Sequence, residues 1–103
     1  MQRLVEQPVG DGEVFEGATR LAQVHYHLSV YQHFSHVDDE TVPANLEVEG
    51  RITPHDPLDL EAHHRRGSEL TLHLVDGRTL AFTVAGESGT IRSTGRGLSL
   101  SPG

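Results

Sequence analysis

The chain contains no cysteine. That excludes disulfides, zinc–thiolate sites and cysteine nucleophiles, and it fits a reducing compartment. Aromatic residues make up only 5% of the 103 residues, within a hydrophobic fraction of 35%. A domain of this length buries roughly 60–65% of the surface its unfolded chain exposes. One thin core is therefore expected, with little material left for a deep pocket. Basic residues are sparse and scattered, with Arg65 and Arg66 the one adjacent pair, and the formal net charge is −7 with histidine neutral. An acidic surface repels phosphate backbones, so no nucleic-acid partner is expected. No apolar run approaches the roughly 20 residues of a bilayer span, and Met1 to Gly12 holds no apolar stretch of signal-peptide length. The expectation is a cytoplasmic protein that does not engage a membrane.

Catalytic signatures are missing too. There is no Gly-x-Ser-x-Gly elbow, no Gly-x-Gly-x-x-Gly before a helix and no Gly-Lys-Ser or Gly-Lys-Thr. The carboxylate pairs Asp38 with Asp39 and Asp56 with Asp59 fall in expected turns or at a helix start, where solvation or capping accounts for them. Gly86 to Gly89 reads as a turn, and Gly95-Arg96-Gly97 as a flexible tail. These absences point away from an enzyme.

What is present is a two-residue period. From Arg20 to Phe34 the even positions read Ala22, Val24, Tyr26, Leu28, Val30, Gln32, Phe34, and the odd positions read Leu21, Gln23, His25, His27, Ser29, Tyr31, His33. Such alternation places one face on a core and the other toward water. At about 3.4 Å per residue the run spans roughly 50 Å, longer than an ordinary strand, so a bend or bulge is expected within it. Ser35 to Asn45 reads as a loop around the acidic triplet Asp38, Asp39, Glu40. A second strand follows from Leu46 to Ile52, ended by Pro54. Asp56 with Pro57 reads as a helix start and Gly67 as its stop, with His63 to Arg66 suited to the negative end of the helix dipole. Leu70, Leu72, Leu74 and Leu80, Phe82, Val84 mirror each other about Asp76-Gly77, the signature of a hairpin with a two-residue type I′ turn. Thr90 to Thr94 and Leu98 to Leu100 close the chain as short strands.

The fold class is thus all-β. A small antiparallel barrel or sandwich of about 6–7 strands in a meander is expected, with at most one short helix near 57–66. Residues 1–12 form a weakly ordered N-terminal segment or edge strand, and 13–103 a single β domain. The inward side chains are Val24, Tyr26, Leu28, Val30, Leu72, Leu74 and Phe82.

Eight histidines are the one compositional excess, and protonating all of them would move the net charge from −7 to +1. Histidine is the side chain suited to such a change near neutral pH. His25 and His27 share a strand face about 6.7 Å apart, close enough to converge on one divalent transition metal. The third ligand would come from a neighbouring strand, with Glu47, Glu49 and His73 as candidates. His33 lies roughly 27 Å from His25 along an ideal strand and cannot complete that site. His63 and His64 diverge by about 100° on a helix and are poor co-ligands. Three functions remain: a non-enzymatic binding or protein-interaction module, including a homo-oligomer; a metal-binding protein using His25 and His27; and a small-molecule carrier with a barrel interior.

Overall fold

Strand β3 (Thr19–Val37) organises the architecture, because its even residues from Ala22 to Val30 are buried while its odd residues face out. The computed structural model describes residues 2–86 and 89–100, with backbone alone for Asn45 and residues 95–100. Ahead of β3 run β1 (Gln2–Glu6) and β2 (Val9–Glu16), and after it come β4 (Glu40–Pro54), α1 (Leu60–Arg66), β5 (Glu69–His73), β6 (Arg78–Val84) and β7 (Thr90–Leu100). Every pairing is antiparallel. Pairing passes from β3 through β2, β5, β6, β7 and β4 and returns to β3, giving a ring-like sheet. β1 extends β2 along the same edge of β3. Two meanders, β2–β3–β4 and β5–β6–β7, are joined by the helical connection, so β4 neighbours β7 rather than β5. The all-β class, the antiparallel sheet and the single short helix are as the periodicity implies.

The ring is filled by its own side chains. Tyr26, Leu28, Leu70, Leu72, Leu80, Phe82 and Ile91 are essentially inaccessible, and the seven inward residues expected from the alternation are all buried. The Tyr26 hydroxyl reaches the far side of the core and accepts from the Val75 backbone N–H at 3.3 Å.

Four details correct the sequence reading. Residues 35–45 are not an open loop. β3 and β4 continue as a hairpin out to Val37 and Glu40, and Asp38 and Asp39 alone form the turn with φ of 51° and 66°. Two consecutive positive φ values are what a type I′ turn demands, and aspartate tolerates them better than most residues. The helix is capped by Asp59, which accepts from the Ala62 N–H at 3.0 Å, and not by Asp56. Asp56 accepts from the Gln23 N–H at 2.9 Å instead and ties the end of β4 to β3. The Gly67 stop is as expected, at φ 64°. The β5–β6 connection is longer than two residues: Leu74 pairs with Arg78 through Leu74 N–H to Arg78 C=O at 2.9 Å, and only Gly77 has positive φ, 93°. That is the three-residue loop with glycine in the bulge position. Gly95-Arg96-Gly97 lies within β7 rather than in a tail, where the β6–β7 register shifts between Leu80 and Phe82. The middle of the expected Gly86–Gly89 turn falls outside the described residues.

Beyond His33, β3 and β4 pair only with each other among the described residues, since β1 reaches no further than Gln2 opposite His33 and β7 meets β4 only at Glu49 to Arg51. The hairpin therefore projects as an arm, exposed from Ser35 to Thr41. Its effect on shape is visible in a radius of gyration of 14.4 Å and a long axis of 50 Å, against about 13 Å for a compact chain of some 100 residues.

Candidate functional site

The outer face of the β3–β4 pair is polar along its length. Cross-strand partners there are His25 with Thr53, His27 with Arg51, Ser29 with Glu49 and Tyr31 with Glu47. Directly opposed side chains in such a pair have Cβ atoms roughly 4.5–5.5 Å apart, so each couple acts as one unit. Between them lies an open groove of about 710 Å³, lined by His25, His27, Ser29, Glu49, Arg51 and Thr53, with Gln7, Gly50 and Thr90 at its margins. Gly50 allows the two strands to approach: a Cβ there would lie 2.3 Å from the His27 carbonyl oxygen and 2.8 Å from the Leu28 Cα.

Two anchored clusters flank the groove. At one end the Asp11 Oδ1 sits 3.3 Å from His25 Nδ1 and 3.0 Å from His55 Nε2. These hydrogen bonds, from His55 first and His25 second, hold the Asp11 carboxyl below the usual aspartate range. Beside this cluster, Arg20 bonds Glu13 and lies 3.5 Å from Asp56. Toward the arm, His33 Nε2 meets the Glu47 carboxylate at 2.6 Å. Between the clusters, the side chains of His27, Ser29, Glu49 and Arg51 hold no hydrogen bond or ion pair among the described residues.

The two histidines singled out by the alternation, His25 and His27, thus line one groove, and Glu49 joins them. Glu47 is engaged by His33. His73 lies on β5 against Phe15, with ring centroids 4.4 Å apart. Asp11, which meets both His25 and His55, was not legible as a partner of either. Among the described residues no three His, Asp or Glu side chains are grouped so as to hold a metal ion. His63 and His64 serve the fold. His63 is buried and its Nδ1 accepts from Arg66 at 2.9 Å, and the His64 Nδ1–H donates to the Val84 carbonyl at 2.9 Å, docking α1 on β6.

No family model, no curated protein and no solved structure matches the chain. No helix among the described residues is long and apolar enough to cross a membrane.

Proposed function

We propose that the protein is a non-enzymatic binding module whose contact surface is the outer face of β3 and β4. The observation that carries this reading is the set of polar side chains, His27, Ser29, Glu49 and Arg51, that hold no partner among the described residues on the two-strand floor of the groove. Free donors and acceptors of both charges, fixed in register and open to solvent, suit a polar partner segment laid along the strands. They do not suit a reaction, which needs a water-excluded centre where a base and a nucleophile meet. The carrier reading has less support, because the interior is occupied by Tyr26, Phe82 and the leucines around them. A metal at His25 and His27 has less support as well. Asp11 already engages His25, and the cationic Arg51 is the cross-strand partner of His27.

Selection of a random peptide display library on the immobilised full chain tests the proposal. Peptides enriched by the wild-type chain should be lost on the double variant His27→Ala, Arg51→Ala, with the circular dichroism spectrum unchanged. Enrichment that persists on the variant, or no enrichment at all, would overturn it.

A further inference from the structure

The groove and the arm tip belong to one hairpin, and the tip is acidic while the groove holds the cationic Arg51 on its floor. The groove presents Arg51 with His25 and His27, and Glu49 on the side nearer the arm, while the tip presents the exposed Asp38, Asp39 and Glu40. We infer that the occupant of the groove is a second copy of this chain, with the acidic tip of each arm seated on the Arg51 end of the other's groove. This inference rests on the groove being a binding surface, as proposed above.

The geometry of one hairpin fits a two-fold arrangement. Eleven residues separate His27 from Asp38, so groove and tip lie roughly 36 Å apart along the strand. Two hairpins packed outer face to outer face, antiparallel about a two-fold axis, bring each tip onto the other groove, and the axis falls midway, near Tyr31 to His33. At that midpoint the outer face is apolar as well as polar. Leu4 is the cross-strand partner of Tyr31 and, at 45% exposure, is one of the few large hydrophobic side chains left open to solvent. The Leu4–Tyr31 patch, beside the internally paired His33 and Glu47, would meet its symmetry mate, with Arg51 and the acidic tips toward the ends. A central apolar patch inside a charged periphery is the usual anatomy of an association surface, and self-complementarity is what a two-fold contact requires.

The size sets the expected strength. Two strands about 36 Å long, with β1 beside part of them, offer roughly 450 Å² per protomer, or about 900 Å² in total, the scale of weak and transient contacts. The dimer should therefore form at about 10–100 µM and weaken with salt, because its terminal contacts are exposed ion pairs.

Sedimentation of the full chain across that concentration range, at low and high salt, tests the inference. Wild type should pass from monomer to dimer, and both Arg51→Glu and the double variant Asp38→Arg, Asp39→Arg should weaken dimerisation about tenfold or more. An equimolar mixture of these two variants restores opposite charge at both contacts and should recover the wild-type dimer. A wild-type chain that stays monomeric throughout, a dimer indifferent to Arg51→Glu, or a mixture that fails to recover would each overturn the second copy as occupant. If the display experiment still finds groove-dependent peptides in that case, the binding-module reading stands and only the identity of its partner falls.

Discussion

Gly12 on β2 lies against the His73 carbonyl of β5, so closely that a Cβ added to Gly12 would sit 2.3 Å from that oxygen. The contact marks the seam that closes the ring. β2 and β5 pair over only three residues, Glu13 to Phe15 opposite Thr71 to His73, and Gly12 adjoins that short pairing. Gly12→Ala forces a methyl group against the His73 backbone and should destabilise the chain by about 1–3 kcal/mol, the usual range for overpacking. Gly10→Ala is the control, since its Cβ would meet the end of the Tyr26 side chain at 3.0 Å rather than backbone. Urea unfolding followed by circular dichroism reads both. Equal midpoints for the two variants would mean that the seam does not depend on Gly12.

The core was legible because a two-residue period needs only local sequence: Val24, Tyr26, Leu28 and Val30 declare their face without knowledge of any partner. The site was only half legible because it depends on register. Counting back from the β2–β3 turn, where Glu16 pairs with Thr19, Asp11 would fall opposite Val24 and face the core. An irregularity between Val14 and Phe15, with Leu21 as the extra residue on β3, moves Asp11 opposite His25 instead. Counting from the arm turn, where Val37 pairs with Glu40, His27 would oppose Gly50. The irregularity between Gln32 and Phe34 makes its partner Arg51. A one-residue slip exchanges faces, and two such slips assemble the groove and its flanking cluster. A bend or bulge in β3 was anticipated from its length and is met at Leu21, but its position carries no strong residue signal, and the second slip has its extra residue on β4.

Asp59 and Asp56 were confused for a similar reason: both precede a helix-forming run at plausible cap spacing. Only Asp59 reaches the first turn. Asp59→Ala should cost about 1 kcal/mol and should speed hydrogen exchange of the Ala62 amide in particular. Asp56→Ala should leave Ala62 protected and expose the Gln23 amide, whose acceptor it removes. Loss of Ala62 protection in the Asp56 variant would reverse the assignment.

The arm turn holds two aspartates in left-handed backbone, with φ of 51° and 66° at Asp38 and Asp39. Glycine at the second position relieves the steric cost of that conformation, which is why Asp-Gly is preferred there. Asp39→Gly should stabilise the distal hairpin by about 0.5–1 kcal/mol. The gain should appear as slower hydrogen exchange in residues 35–42 and leave the global unfolding midpoint almost unchanged, because the arm has few contacts with the core. Faster exchange in the arm would show that Asp39 holds the turn through its side chain instead.

Arg78 joins the start of β6 to β1, its Nη1 and Nη2 each 2.8 Å from one oxygen of Glu6, while its Nε and backbone N–H bind Asp76 at 2.8 and 3.0 Å. These bonds, foremost the Arg78 side-chain hydrogen bonds, hold the Glu6 and Asp76 carboxyls below their ordinary values of 4.5 and 3.8. A carboxyl whose value is lowered by folding binds fewer protons in the native chain than in the unfolded one. Its contribution to stability is complete above the ordinary value and is lost as pH falls through the lowered one. Arg78→Met keeps an apolar stem on the surface and removes the guanidinium. The stability gap between wild type and this variant, read as thermal midpoints from pH 7 to about pH 3, should be widest near neutrality and should close below about pH 4 as Glu6 and Asp76 take up protons. Asp11 and Asp56, also lowered by their own partners, lose stability over the same acid range in both proteins and so cancel from the difference. A gap that stays constant with pH would mean that Arg78 acts through the packing of its stem rather than through charge. A gap that widens in acid would contradict the sign of the linkage altogether.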